Sequence, residues 1–218
     1  MSDEIAITWH EHSVVRPRGC VVWSTGLSGC GKSTLSNCVD YKLHKMGVNS
    51  FVLDGDNIRH GLNASPEILL PIHGEEFAKR FGLTFEPQDR EENIRRIGCV
   101  AELFCSASII TLAAFVSPYR RDRDRVRAIV EQGGKYKGDF VEVFVDTPLE
   151  ICEERDPKGL YRQARAGKLK GLTGIDDPYE PPEDPELHLA GGQYSAEQLA
   201  NQVITYLVSR GKITDNCI

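Results

Sequence analysis

Four short apolar runs punctuate the chain: CVVWST (20–25), SFVLD (50–54), SIITLAAFVS (108–117) and FVEVFVD (140–146). They are rich in β-branched residues and read as buried strands. Between them, apolar positions recur at helical spacing. Leu35, Cys38, Val39, Leu43 and Met46 follow the first run; Ile94, Ile97, Ala101 and Phe104 follow the second; Val126, Ile129 and Val130 follow the third. Near the end, Ser195 and Gln198 form a capping-box pattern ahead of Leu199, Val203 and Leu207. Alternating strands and helices predict a three-layer α/β domain, with a mostly parallel sheet and helices on both faces. In such sheets ligands sit beyond the carboxyl ends of the strands. The Pro-rich acidic stretch at 176–186 reads as an extended loop, and no internal repeat is visible.

The first strand end carries chemistry. It runs into Gly26-Leu-Ser28-Gly29-Cys30-Gly31-Lys32-Ser33-Thr34, which matches G-x-x-x-x-G-K-[ST] between an apolar strand and an amphipathic helix. Glycines let the backbone curl so that its N–H groups face phosphate oxygens, and the following helix adds its positive end. Lys32 can reach the β- and γ-phosphates, and Ser33 can hold Mg²⁺. This predicts a nucleoside-triphosphate kinase fold with ATP and Mg²⁺. GTPases are the rival class, but the N-K-x-D that reads guanine is missing. Asp156-Pro-Lys-Gly159 fits D-x-x-G only by coincidence, lying far downstream.

The second strand ends in LDGDNIRHGLN (53–63). The carboxylates of Asp54 and Asp56 can steer Mg²⁺ or take a proton from an attacking hydroxyl. Arg59 can fork onto a substrate anion. His60 is given no role.

Charge narrows the partners. The 218 residues suffice for one domain with a sizeable core, and the net charge of −6 disfavours general binding to nucleic acid or anionic membrane. Anionic ligands therefore need local cations. Arg155, Lys158, Arg162, Arg165, Lys168 and Lys170 supply them against one acid, Asp156. By contrast, the mixed-sign stretch 120–127 reads as a salt-bridged helix start. No apolar stretch approaches a membrane span, and the start of the chain does not read as a secretory signal. Seven cysteines at irregular spacings read as reduced thiols, Cys30 filling space in the phosphate loop, with no zinc pattern.

Together GLSGCGKST (26–34), LDGDNIRHGLN (53–63), DREENIRR (89–96), FVSPYRRDR (115–123), RDPKGLYRQARAG (155–167) and LTGIDDPYEPP (172–182) resemble the adenylylsulfate kinase family, from about Arg18 to Leu207. The resemblance implies transfer of the γ-phosphoryl of ATP to the 3′-hydroxyl of adenylyl sulfate. It casts Asp56 as base or orienter near Mg²⁺, beside Ser33. Arg59, Arg90 and Asn93 become contacts to adenylyl sulfate, with Phe85 one face of a clamp on its adenine and Leu172 and Thr173 opposite. Val116 and Ser117 form the edge after the third strand, with Ser117 also a candidate catalytic hydroxyl. Lys158 bridges donor and acceptor, and Arg155 reaches the ATP adenine from a lid at 155–175. A cytoplasmic homodimer, with a separate ATP sulfurylase supplying its substrate, is the implied setting.

Three departures from the family pattern stand out. Residues 64–84 form an added stretch before Phe85, with a short helix predicted over 74–81, expected as a flap at the substrate mouth or an interface element. Leu172 stands where Phe is usual, leaving room for an aromatic from that stretch to substitute. Ala190-Gly191-Gly192 stands where an Asp-Thr pair is usual, so no site residue is assigned there. Two other readings fit the same residues: a kinase of this lineage for another nucleotide or small metabolite, and a weakly catalytic nucleotide-binding module that regulates a sulfurylase.

Overall fold

The apolar runs become the parallel strands β1 (Val21–Thr25), β2 (Ser50–Asp54), β3 (Ile110–Ala114) and β4 (Phe140–Asp146) of a computed structural model that describes residues 18–214. A fifth strand, β5 (Leu187–Ala190), closes the order β2-β3-β1-β4-β5, every pairing parallel. β5 has only four residues and stands on an edge, so its apolar run is too brief to be read from pattern. Around the sheet lie α1 (Lys32–Lys45), α2 (Gly55–His60), α3 (Pro66–His73), α4 (Glu75–Phe81), α5 (Pro87–Ser106), α6 (Arg120–Val130), α7 (Leu149–Arg155), α8 (Leu160–Arg165) and α9 (Ala196–Ser209).

Strand alternation sorts side chains between two cores. Val22, Ile110, Leu112, Val141 and Val143 face α1 and α9, meeting Leu35, Val39, Leu43, Leu199, Val203 and Leu207. Val21, Trp23, Ala113 and Phe140 face α5 and α6, meeting Ile94, Ile97, Ala101, Val126 and Val130. The three-layer α/β expectation and its helical faces are thus realised. Trp23 anchors the second core, with ring centroids 5.6 Å from Phe115 and 6.0 Å from Phe140. The capping box at Ser195 and Gln198 starts α9 with both reciprocal bonds in place.

The mixed-sign stretch does open a helix, α6, and its arginines are paired. Arg121 and Arg125 bond Glu91 on α5, and Arg127 forks onto Glu186 at 2.6 and 2.8 Å. Arg123 differs from the other arginines of the stretch, being 2% exposed and bonded to Glu142 on β4 at 2.7 Å. Helical rotation turns Asp122, Arg123, Val126 and Val130 inward, which composition alone does not reveal.

The stretch 64–84 forms two helices rather than one. Pro66 opens α3, and an interior Pro71 hides that helix from pattern reading. Ala64 O accepts from Leu83 N at 3.1 Å, so the α3–α4 hairpin leaves and returns at one place. The 176–186 segment is an extended strap, docked by Glu180 N on Pro118 O at 2.9 Å and Glu180 Oε2 on Arg120 N at 2.8 Å. The six described cysteines are free; Cys217 and residues 1–17 lie outside the described residues. No described helix is long and apolar enough to cross a membrane.

Candidate active site

β1 lies between β3 and β4, and the loop after it faces the crevice where the strand order reverses. Two glycines make that loop possible. Gly26 has φ +145°, and a Cβ there would stand 2.6 Å from Val145 O; Gly31 caps α1 at φ +110°. These are conformations that side chains with a Cβ rarely adopt. Lys32 is 8% exposed and folds back on the loop, donating to Gly26 O at 3.0 Å and Leu27 O at 2.7 Å. A phosphate anion offers that ammonium stronger, charge-assisted acceptors than these carbonyls.

Ser33 Oγ donates to Asp54 Oδ2 at 2.5 Å, while Asp54 Oδ1 caps α2 by accepting from Asp56 N at 3.0 Å. The geometry therefore sets Asp54, rather than Asp56, against Ser33. Asp56 instead meets Lys158 Nζ at 2.6 Å, joining α2 to the turn between α7 and α8. Both side chains of that pair are more than half exposed, so the contact is shallow.

One cavity of about 760 Å³ gathers these groups. Its floor holds Ser28 to Thr34 of the phosphate loop, with Asp54 and Asp56 beside it. Arg59, Phe85, Arg90, Asn93, Val116, Ser117, Leu172 and Thr173 line one part. Arg155, Lys158 and Lys170 line it from the basic 155–170 segment. Gly191, Gly192 and Tyr194 also line it, residues that sequence reasoning left unassigned; Tyr194 is an exposed aromatic just before the Ser195 cap, a signal that could have found it. Gly26 shapes the loop without lining the cavity.

The expected acceptor residues differ in how free they are. The Arg59 guanidinium lies 4.2 Å from the Phe85 ring centroid, and burial together with the nearby Arg90 charge pulls its pKa below the ordinary value. Phe85 is 65% exposed, leaving ring surface for a stacked base. Arg90 is committed to protein: it donates to Phe85 O and Gly171 O, each at 2.6 Å, to Asp177 Oδ2 at 2.7 Å and to Thr173 Oγ1 at 3.3 Å. It clamps α5 to the 171–177 turn and shapes the site as much as it addresses a ligand.

Ser117 departs from the expectation of a catalytic hydroxyl. It is 2% exposed with φ +38°; its Oγ accepts from Trp23 Nε1 at 3.1 Å and donates to Thr25 Oγ1 at 3.1 Å. The hydroxyl joins the ends of β1 and β3, and Val116 O serves the same join by accepting from Thr25 Oγ1 at 2.7 Å.

At the end of α7, Arg155 Nη1 reaches Gly29 O at 3.4 Å and Cys30 O at 3.5 Å, holding α7 on the phosphate loop. The Asp156 carboxylate accepts from Tyr161 N and Arg162 N in the first turn of α8; these bonds hold its carboxyl below the usual range. Arg165 pairs outward with Glu153 at 2.5 Å. None of residues 64–84 lines the cavity, although Arg59 Nη1 meets Thr84 O at 3.5 Å.

The family model for adenylylsulphate kinase matches residues 18–68 and 74–190, so only 69–73 of the 64–84 stretch fall between the matched ranges. An adenylyl-sulfate kinase of Rhodopirellula baltica is 58% identical, covering 94% of this chain and 86% of that protein. A probable adenylyl-sulfate kinase of Halalkalibacterium halodurans is 49% identical, covering 94% and 95%. Among solved structures, the Mycobacterium tuberculosis APS kinase in complex with AMPPNP and APS is similar with a TM-score of 0.76 and 43% identity, over 88% of this chain and 99% of that one. With its phosphate loop, paired carboxylates and the basic residues Arg155 and Lys158 in one cavity, this chain belongs to the adenylylsulfate kinase family.

Proposed function

We propose that this kinase transfers the γ-phosphoryl of ATP to the 3′-hydroxyl of adenylyl sulfate, yielding ADP and 3′-phosphoadenylyl sulfate. One observation carries the reading: the phosphate loop and the Asp56, Arg59, Phe85 and Asn93 group share a single cavity, so two nucleotides can meet there. Ser28 to Thr34 cradle the ATP phosphates, and Arg155 with Gly192 and Tyr194 borders the donor side. Arg59, Phe85, Asn93 and Thr173 hold the acceptor. Asp56 orients the hydroxyl and takes its proton, and Lys158 stabilises charge between the two phosphoryl-bearing groups.

The oxygen donors fit Mg²⁺, which takes one or two carboxylates together with substrate phosphates. Ser33 and Asp54 would hold it, with Asp56 alongside. When bound it neutralises charge on the phosphates. A cytoplasmic location, a homodimer and a separate sulfurylase partner belong to the same proposal.

The test is ADP release from Mg²⁺-ATP with and without adenylyl sulfate. Strong stimulation is the expected result. ATP binding without stimulation would favour another acceptor nucleotide or metabolite, or a regulatory module.

Two variants probe the acceptor side. Leu172→Phe should lower the KM for adenylyl sulfate several-fold, since base–aromatic stacking is worth about 1–3 kcal/mol and Leu already supplies part of the packing. An unchanged KM would remove residue 172 from the clamp. Joining Ala64 to Leu83, which are already hydrogen-bonded, should leave both KM values within about twofold. A large rise in the KM for adenylyl sulfate would restore the hairpin to the substrate site. Light scattering of the same variant reports whether its exposed Leu70, Ile72, Phe77 and Phe81 contribute to assembly.

A further inference from the structure

Asn63 has no part in the roles above, yet it is 1% exposed and lies just beyond α2, its backbone N donating to Ile58 O at 2.9 Å. Its side chain reaches across to α5. Asn63 Nδ2 donates to Asn93 Oδ1 at 3.0 Å and to Asn93 O at 3.4 Å. Asn63 Oδ1 is buried and has no hydrogen-bond partner among the described residues. Leaving such an acceptor unmet costs about as much as a good hydrogen bond returns, so self-satisfaction does not explain an asparagine here.

The contact does decide something about Asn93. A carboxamide has an accepting end and a donating end. Asn63 occupies the accepting end, leaving the Nδ2 donors of this cavity-lining residue without a partner among the described residues. With Asn63 absent, the Asn93 amide could rotate by half a turn and present its oxygen instead. The bond also ties the end of α2, the helix bearing Asp56 and Arg59, to α5, which bears Arg90 and Asn93.

We propose that Asn63 is a positioning residue for the acceptor: it holds the Asn93 amide with its N–H donors directed to an acceptor atom of adenylyl sulfate. The proposal rests on the functional reading above. Asn63 touches no substrate and acts through Asn93.

The experiment is a double-mutant cycle on the full chain: Asn63→Leu, Asn93→Ala and the pair, each assayed for the KM of adenylyl sulfate and of ATP, with the unfolding midpoint of each. Asn63→Leu is near-isosteric and exchanges the unmet oxygen of Asn63 for that of Asn93, so its midpoint should stay close to that of the parent; Asn63→Ser replaces it if Leu fails to fold. Asn63→Leu should raise the KM for adenylyl sulfate roughly five- to tenfold, the size of one hydrogen bond, with the KM for ATP unchanged and kcat within about twofold. In the Asn93→Ala background it should add nothing. Equal rises in both KM values, full additivity with Asn93→Ala, or a lowered midpoint with unchanged kinetics would overturn the positioning role. If the parent protein itself shows no response to adenylyl sulfate, the functional reading fails and the proposal with it, an outcome distinct from the others.

Discussion

Replacing Asp56 with alanine is expected to lower kcat for adenylyl-sulfate-stimulated ADP release about 10²–10⁴-fold, the range for a positioned general base. The reason is local. Asp54 caps α2 and so fixes the backbone at Asp56, which holds the carboxylate over the crevice beside the phosphate loop. Its partner at rest is Lys158, in a pair that solvent screens and a substrate hydroxyl can displace at little cost. The KM for ATP should change far less than kcat, because Lys32 and the loop backbone hold the phosphates. The midpoint of unfolding should move little, since the side chain is exposed. A loss of kcat below about tenfold would remove Asp56 from the proton-transfer role and leave Asp54 as the remaining carboxylate.

Arg123→Ala should produce the largest loss of stability, about 3 kcal/mol or more. Arg123 is 2% exposed and all parts of its guanidinium are used: Nε on Glu142 Oε1 at 2.7 Å, Nη1 on Ser117 O at 2.7 Å and Nη2 on Glu180 O at 2.8 Å. Removing one partner of a buried pair typically costs about 3–5 kcal/mol because the other charge stays behind. Arg127 Nη2, 3.6 Å from Glu142, offsets part of that, so the lower end applies. In a chain of this size the midpoint should fall by roughly 6–12 °C. Arg123→Lys keeps the charge but loses the fork and should fall between the two. A urea titration checks both, and a change under about 1 kcal/mol would show that the network is replaceable. Activity should fall as well, because Ser117, whose carbonyl Arg123 holds, lines the cavity.

Much of this protein was legible before any coordinates. The strands β1 to β4 and the faces of α1, α5, α6 and α9 followed from periodicity, because burial on both faces of a parallel sheet leaves continuous apolar runs and amphipathic crossovers. The phosphate loop was equally plain, since glycine positions and a Lys-Ser pair are dictated by backbone geometry and anion chemistry close along the chain. The family resemblance then located Asp56, Arg59, Phe85, Asn93 and Lys158, and all of them line one cavity.

What remained hidden depends on partners distant in sequence. The resemblance pairs Asp56 with Ser33, but with β2 beside α1 it is Asp54 that meets Ser33; the two carboxylates are chemically alike and two residues apart. Ser117 reads as a free hydroxyl until Trp23 and Thr25 on the neighbouring strand claim it. Arg90 reads as an anion contact until the 171–177 turn folds over it, and Arg123 as one of many surface arginines until helical phase carries it inward. The helix α3 was masked by Pro71, and β5 by its brevity. Sequence determined the element types, the nucleotide-phosphate chemistry and the family, because those rest on short-range periodicity and motif. Tertiary structure alone decided which polar groups are already satisfied by the protein and which are left for a ligand, because a hydrogen bond across the fold is invisible until both ends are in place.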